Sequence, residues 1–278
     1  MSELLLGHEA QIRLGFFIGV FTLMASWEVF APRRTGQIKR RLRWPSNLGI
    51  VIFNALVLRV VMPTTAVALA LAGETAGWGL LQQFDLPLWL ACTLAIICLD
   101  LTIYLQHLMF HAVPVLWRLH RMHHADLAFD VTTGARFHPL EIMVSMAIKL
   151  MVIAALGPPA VAVLVFEVLL NVLAMFNHAN ARLPLGLDRV LRRVIVTPDM
   201  HRVHHSVIPR EANSNFGFNL SLWDRALGTY CAQPAAGHQE MGIGIDQFRS
   251  EDELRLGRML AQPFKGQSNS TYPINRKQ

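Results

Sequence analysis

Histidines at short, repeated spacings are the residues of this sequence best suited to carry out chemistry. The pentapeptide His-Arg-x-His-His occurs twice, at 120–124 and at 201–205, and an H-x-x-x-H pair at 107–111 precedes the first copy. Side chains three or four positions apart lie on one face of a helix, so each motif would present its imidazoles together. Together with two single histidines, the candidate metal ligands are His107, His111, His120, His123, His124, His138, His178, His201, His204 and His205.

An imidazole cluster of this size is typical of a metal site. Protonated imidazoles would repel one another, and neutral ones without partners are costly to bury, whereas a bound cation removes both problems. Because one ion takes about four to six ligands, this many imidazoles predict two ions. The near-absence of carboxylates argues against soluble di-iron sites built on Glu-x-x-His and against a single iron bound by two histidines and one carboxylate. Imidazole suits iron, zinc and copper alike, so the ligand type leaves the metal open.

The composition indicates that membrane helices hold these motifs. The chain has 278 residues, of which 53% are hydrophobic and 16% charged, and its mean hydropathy is +0.36. Three cysteines are too few for a disulfide framework or a four-thiolate metal site. The net charge of +6 comes from basic residues beside apolar segments, which favours phospholipid headgroups over nucleic acid as a partner.

Apolar runs predict three membrane spans followed by a helical hairpin. The spans cover 14–31, 48–73 with a kink at Pro63, and 86–105, and each can cross a hydrocarbon layer of ~30 Å. Residues 141–176 are also apolar, but a Gly-Pro-Pro turn interrupts them, which predicts either two full spans or a re-entrant pair.

The loop after the first span is rich in Lys and Arg, so the positive-inside rule places it in the cytoplasm and the N-terminus outside. The same topology puts ten of the twelve histidines on the cytoplasmic face. The predicted fold is therefore all-α, a multi-span integral membrane bundle with a cytoplasmic histidine-rich helical cap. Its segments are the spans and basic loop (1–106), a first histidine-rich segment (107–140), the hairpin (141–177), a second histidine-rich segment (178–264) and a tail (265–278).

Several other residues stand near the motifs. Asp100 and Tyr104 precede His107 within an apolar helix, where they either hydrogen-bond an imidazole or join two helices. The Arg that follows the first histidine of each pentapeptide, at 121 and 202, points away from the ligand face and is expected to contact headgroups or acids.

Three further segments carry expectations. Residues 185–195 alternate apolar residues and arginines as in a helix lying at the membrane interface. The loop at 214–219, with Trp223 and Asp224, either caps the site or forms a packed turn. Lys149 and Arg59 are expected to extend toward the membrane surface.

The three motifs resemble the histidine boxes of the fatty acid hydroxylase/sterol desaturase superfamily, a group of integral-membrane dimetal oxygenases, and its bacterial members in particular. The similarity also takes in "TGARFHPLE" at 133–141 and "NSNFGFNLSLWDRALGTY" at 213–230, and covers about 43–262. It implies that the eight box histidines and His178 bind metal and that Asn177 is a candidate to hold a water there. His138 is either a ligand or part of the start of the next helix.

The resemblance also implies the chemistry. Two iron ions, or zinc in isolated protein, would use O2 and external electrons to hydroxylate or desaturate a C–H bond of a lipid, whether sterol, fatty acyl or ether lipid. The apolar tail would lie between spans two, three and the hairpin. No haem-attachment, dinucleotide or flavin motif occurs in the sequence, so a separate electron-donor protein is expected. The expected location is the bacterial inner membrane.

Two other classes of protein remain open from the residues. A haem-b electron carrier would place single histidines in the middle of separate spans, whereas these histidines crowd at span ends. A metal transporter or storage protein would favour ligands at the bilayer midplane together with acidic residues.

Overall fold

The computed structural model describes residues 2–35, 38–62 and 64–266. Across these residues the chain is helical, with three isolated β-bridges and no strand. The all-α membrane-bundle fold predicted from the sequence is confirmed. The kink at Pro63 and the tail beyond residue 266 lie outside the described residues.

Fourteen α-helices follow one another along the described chain. They are α1 (Ser2–Gly7), α2 (Glu9–Phe30), α3 (Arg40–Val61), α4 (Ala66–Ala76), α5 (Leu88–Ala112), α6 (Pro114–His124), α7 (Pro139–Leu156), α8 (Ala160–Asn177), α9 (Leu185–Leu191), α10 (Pro198–His204), α11 (Pro209–Ala212), α12 (Leu222–Ala226), α13 (Gly237–Glu240) and α14 (Leu256–Ala261). Short 3-10 turns occur at Leu80–Gln83, Thr133–Ala135, Glu251–Leu254 and Gln262–Phe264.

Five stretches of the described chain are long and apolar enough to cross a membrane. They are α2, the segment Arg40–Gln83, α5, α7 and α8. The hairpin has the predicted form, because α7 ends at Gly157, whose φ of 60° is the left-handed conformation that glycine adopts most readily. Each hairpin helix has 18 residues and is therefore about 27 Å long.

The second predicted span differs from the structure at both ends. Instead of one helix over 48–73, the chain forms α3 and α4, and Thr65 begins α4 by accepting a hydrogen bond from the Ala68 N–H at 3.0 Å. Helix α3 also begins at Arg40, so residues 40–47, expected to lie in the basic loop, are helical.

The centre of the bundle lies between α4, α5, α7 and α8, where Leu99, Val163 and Phe166 are among the buried residues. Lys149 does not extend to the membrane surface as expected. It is buried in α7 and forms an ion pair with Glu167 of α8, because a partner inside the bundle removes the need to reach water.

The histidine-rich segments cover one end of this bundle, called the histidine end from here on. The basic loop packs against them, since Arg33 forms an ion pair with Asp199 at 3.0 Å and Arg43 pairs with Asp126 at 2.6 Å. The turn of the hairpin lies at the opposite end, where the Gln82 amide donates to the Gly157 carbonyl at 2.9 Å.

Helix α9 is shorter than the interfacial helix predicted for 185–195. Arg192 ends it and is buried, paired with Asp188 at 2.5 Å, so this arginine does not face outward as expected. The apolar residues Leu185 and Val190 are largely exposed, as a helix at a membrane interface requires.

Candidate metal centre

Nine buried histidines form two neighbouring groups at the histidine end of the bundle. Within each group, one ring nitrogen from every member lies within 4.8 Å of the others. The first group contains His107, His111, His120, His124 and His204, and the second contains His123, His178, His201 and His205. The structure thus brings together nine of the ten histidines that the sequence singles out.

Helix ends supply all of these side chains. The last turns of α5 carry His107 and His111, the end of α6 carries the first pentapeptide, α10 carries most of the second, and His178 and His205 cap α8 and α10. The i, i+3, i+4 spacing does put the rings of each pentapeptide close together, but the rings divide between the two groups.

The division is reciprocal. In the first pentapeptide, the first and last histidines join the first group and the middle one joins the second. In the second pentapeptide, the first and last histidines join the second group and the middle one joins the first. Each motif therefore contributes to both groups, which ties the two groups into one centre.

The ring nitrogens approach one another at distances that suit a shared cation. The Nε2 atoms are 3.2 Å apart between His107 and His120 and 3.1 Å apart between His111 and His124. In the second group, His178 Nε2 lies 3.2 Å from its counterpart on His123. Two imidazole nitrogens bound to one ion at about 2.0–2.1 Å are about 3.0–3.4 Å apart.

Hydrogen bonds to the other ring nitrogen decide where the protons are. His107 Nδ1 lies 2.8 Å from the Phe216 carbonyl oxygen, and His204 Nδ1 lies 2.7 Å from the Ser214 carbonyl oxygen. His178 Nδ1 is likewise 2.8 Å from a carbonyl oxygen in α8. A carbonyl can only accept, so each Nδ1 carries the proton and each Nε2 presents a lone pair to the centre.

His120 has the strongest such partner. Its Nδ1 lies 2.6 Å from Glu141 Oε1, at the start of α7. With the proton of His120 on Nδ1, as in His107, two lone pairs face each other across 3.2 Å. That contact is repulsive unless a cation lies between the nitrogens, so the residues present fit a metal.

The electrostatics of the centre favour neutral imidazoles. Burial and the neighbouring rings lower the pKa of His123, His124, His201 and His205 well below the usual value. Burial lowers the pKa of His178 and His204 to about 3. Neutral rings are competent ligands, and several of their nitrogens, including His204 Nε2, are buried without a hydrogen-bond partner.

His138 does not join either group. Its Nδ1 accepts from the Leu140 N–H at 3.2 Å, which makes it the N-cap of α7, and its Nε2 lies 3.2 Å from the Leu260 carbonyl oxygen. Of the two alternatives left by the sequence, the start of the next helix is therefore the one that the structure shows.

Asp100, Tyr104 and Asn177 each contact the segment 214–229, which supplies the carbonyl partners of His107 and His204. Asp100 Oδ2 accepts from Trp223 Nε1 at 2.8 Å, and the Tyr104 hydroxyl lies 2.8 Å from Thr229 Oγ1. The Asn177 amide donates to the Phe218 carbonyl at 2.8 Å, and its Oδ1 atom is buried without a partner.

Asp224 is more important to this loop than its place in the sequence indicates. Its carboxylate accepts from the Phe216 N–H at 2.7 Å and the Gly217 N–H at 2.8 Å, and from the Thr229 hydroxyl at 2.7 Å. These bonds hold the carbonyl of Phe216 against His107. The sequence signal was the pairing of Trp223 with Asp224, which did not separate a packed turn from a cap over the site.

The two pentapeptide arginines do lie away from the ligand groups. Arg202 forms an ion pair with Asp199, as expected for an acid contact. Arg121 instead donates to the backbone carbonyls of Gln262 and Lys265, which fastens the last described segment to α6.

A cavity of about 320 Å³ adjoins the two histidine groups. Residues of α2, α3, α5, α7 and α8 line it, which includes the spans between which the sequence places an apolar tail. Phe137, one of its lining residues, stacks on His123 with ring centroids 4.5 Å apart, and Phe218 lies 6.5 Å from His107. The cavity thus extends from the apolar helices to aromatic residues that lie against the rings of the centre.

The fold and the site together define a membrane-embedded helical protein with a buried, imidazole-rich centre at one end. Comparison with known families matches residues 92–229, roughly half of the chain, to the family described as fatty acid hydroxylase. The chain belongs to this family.

Relatives match over part of their length. Ornithine lipid hydroxylase OlsE of Rhizobium tropici is 29% identical over 157 residues, 56% of this chain and 46% of that protein. Alkylglycerol monooxygenase of Danio rerio is 30% identical over 159 residues, 56% of this chain and 34% of that protein. Very-long-chain aldehyde decarbonylase GL1-1 of Oryza sativa subsp. indica is 28% identical over 226 residues, 76% of this chain and 33% of that protein. The chain thus spans less than half the length of each, and no solved structure matches it.

Proposed function

We propose that this protein is a membrane-bound oxygenase that holds two iron ions and uses O2 and external electrons to hydroxylate or desaturate a C–H bond of a lipid. The observation that carries the proposal is that aromatic residues lining a cavity walled by membrane helices lie against both groups of imidazoles. The relatives named as hydroxylases of ornithine lipid and of alkylglycerol support a lipid substrate.

The five histidines of the first group would hold one ion and the four of the second group the other. The irons would supply the reducible centre that activates O2, a task beyond any side chain alone. Glu141 would set the orientation of His120 and strengthen it as a ligand through the bond at 2.6 Å.

The chain's own contribution to the reaction is binding, orientation and exclusion of water. The phenyl ring of Phe137 against His123 and that of Phe218 near His107 form an apolar wall between the imidazoles and the cavity. A lipid chain in the cavity would place one of its carbons beside this wall, and few other carbons of the lipid would be within reach of the centre.

The same packing argues against a haem carrier. Five ring nitrogens that all lie within 4.8 Å of one another leave no room for a porphyrin ring between any two of them. Electrons would come from a separate donor protein, and the site would face the cytoplasm of a bacterial inner membrane.

Comparative lipid mass spectrometry of cells tests this proposal. Cells with the wild-type protein should contain a lipid that gains one oxygen or loses two hydrogens, and cells with His204→Ala should lack it. His8→Ala is the matched control, because His8 is exposed and belongs to neither group, and it should behave as wild type. If no lipid changes in a manner that depends on the wild-type protein, the oxygenase proposal is wrong.

A further inference from the structure

The cavity is not uniformly apolar. Most of its lining is aliphatic or aromatic, yet it also contains Asn54 of α3, Gln106 of α5 and Glu141 of α7. One oxygen of each of these three side chains, namely Asn54 Oδ1, Gln106 Oε1 and Glu141 Oε2, is buried without a hydrogen-bond partner. Buried polar atoms in folded proteins nearly always have partners, so three exceptions in one cavity require an explanation.

All three residues are linked to the imidazoles by a bond, a shared neighbour or the chain itself. Gln106 directly precedes His107 in α5, and Glu141 bonds His120 through its other oxygen at 2.6 Å. Asn54 donates at 2.9 Å to the carbonyl of Phe137, the residue whose ring stacks on His123. The polar part of the cavity is therefore next to the proposed reaction centre.

The hydrogen bonds that these side chains already make show which kind of partner is missing. The amide of Asn54 is committed to the Phe137 carbonyl, and that of Gln106 donates to Ser145 Oγ at 2.8 Å. Glu141 already accepts from the Nδ1–H of His120 through Oε1, so its Oε2 is the oxygen left over. Each unpartnered oxygen can thus act only as an acceptor, and what is missing is a set of donors.

We propose, building on the oxygenase function above, that the cavity selects lipids with hydrogen-bond donors, an amide N–H or a hydroxyl, within a few bonds of the oxidised carbon. The donors bond to the oxygens of Asn54, Gln106 and Glu141, and the hydrocarbon part occupies the apolar remainder of the cavity. An unsubstituted hydrocarbon segment leaves the three acceptors without partners, and for that reason binds less tightly.

Equilibrium binding to the metal-free, detergent-solubilised protein tests the proposal without any turnover. Two pairs of probes each differ by the loss of donors: 1-O-hexadecylglycerol against its di-O-methyl ether, and an N-hexadecanoyl amino acid against its N-methyl counterpart. In wild-type protein the donor-bearing member of at least one pair should bind about 3- to 10-fold more tightly. The pair with the larger ratio identifies hydroxyl or amide as the source of the donors.

Variants separate recognition from cavity shape. Asn54→Leu and Gln106→Leu should reduce the ratio toward one while retaining the donor-free lipid. Ser145→Ala is matched to Gln106→Leu, because it removes the partner of the Gln106 amide and leaves the oxygen in place, so it should keep the ratio. Leu58→Ala, in the apolar part of the cavity, should weaken both members of a pair equally.

Equal binding of both members of both pairs to the wild-type protein would overturn the inference, and this result does not depend on any variant folding. A loss of affinity for all four lipids in Asn54→Leu and Gln106→Leu would also overturn it, because those residues would then only shape the cavity. Failure of the oxygenase function looks different: the lipids bind with the expected ratio, but the iron-loaded protein oxidises none of them.

Discussion

The Nε2 atoms of His107 and His120 face each other at 3.2 Å, although hydrogen bonds place the proton of each ring on Nδ1. Two lone pairs at this distance repel, and both rings are buried, so water cannot separate them. The two nitrogens are therefore positioned to bind a cation between them.

Histidines of one pentapeptide that belong to different groups should affect different metal sites. His123 and His124 are adjacent in sequence but belong to different groups, so His123→Ala and His124→Ala should each lower the iron content from about two ions per chain and weaken a different site. Elemental analysis of purified protein measures the content, and the spectrum of the remaining iron identifies the site.

His138→Gln is the control for this prediction, because His138 lies outside both groups and caps α7. It should retain the full metal content. Identical spectra for the residual iron in the two alanine variants would contradict the assignment of the adjacent histidines to separate groups.

Glu141 should determine how tightly the first group binds its ion. A carboxylate that accepts the Nδ1–H of a ligating histidine raises its basicity, and loss of such a partner typically costs about 10- to 100-fold in metal affinity. Glu141→Ala should show this loss in a chelator competition titration. Glu141→Gln keeps an acceptor for His120 and should lose less.

Glu74→Gln is a suitable control, since Glu74 accepts from the Ala160 N–H at the opposite end of the bundle. Equal metal affinity in wild type and Glu141→Ala would show that the bond to His120 has no role in metal binding.

Spacing along the sequence predicted which histidines come together, but not how they divide. The i, i+3, i+4 pattern fixes the face of a helix, whereas the relative placement of α6 and α10 decides which ring meets which. His138 shows a related limit: a single histidine before a proline suits a ligand or a helix cap, and only its partners, Leu140 and Leu260, distinguish the two. The hairpin was predictable because a Gly-Pro-Pro turn ends any helix.

The basic loop shows why other features were not predictable. Arg43 sits in a run of similar residues, all of which suit headgroup contacts, yet it alone among its immediate neighbours is completely buried. Its partners Asp126 and Asp130 follow more than 80 positions later, and no local pattern links them.

Arg43 should be essential for the stability of the histidine end. Its guanidinium bonds both Asp126 and Asp130 in a buried network, and the pKa of Asp126 is lowered to about 2 beside this cation. Arg43→Leu leaves two buried carboxylates without their partner and should lower the free energy of unfolding by about 3–5 kcal/mol. Thermal or chemical denaturation in detergent measures the change.

Arg41→Leu is the matched control, because Arg41 is exposed two positions away on the same helix. It should change the free energy of unfolding by less than about 0.5 kcal/mol. Equal destabilisation by the two variants would mean that the Arg43 network contributes no more than a surface charge.

Asp224 should make stability depend on pH near neutrality. Burial raises the pKa of Asp224 to about 7 in the folded protein, against about 3.9 in an unfolded chain. The folded value is the higher one, so Asp224 adds its full contribution to the free energy of unfolding below about pH 4. That contribution is lost as the pH rises through about 7. Between these two pH values, the free energy of unfolding changes by at most about 1.4 kcal/mol per pH unit because of Asp224.

Comparison with Asp224→Asn isolates this contribution. Asparagine does not titrate, so it replaces the pH-dependent term with a constant offset that arises from its single acceptor oxygen among three donors. Melting temperatures of the two metal-free proteins are measured from pH 5 to pH 8. The melting temperature of the wild type minus that of the variant should rise as the pH falls. A constant difference across this range would show that Asp224 is ionised throughout, and that the loop at Phe216 holds His107 independently of pH.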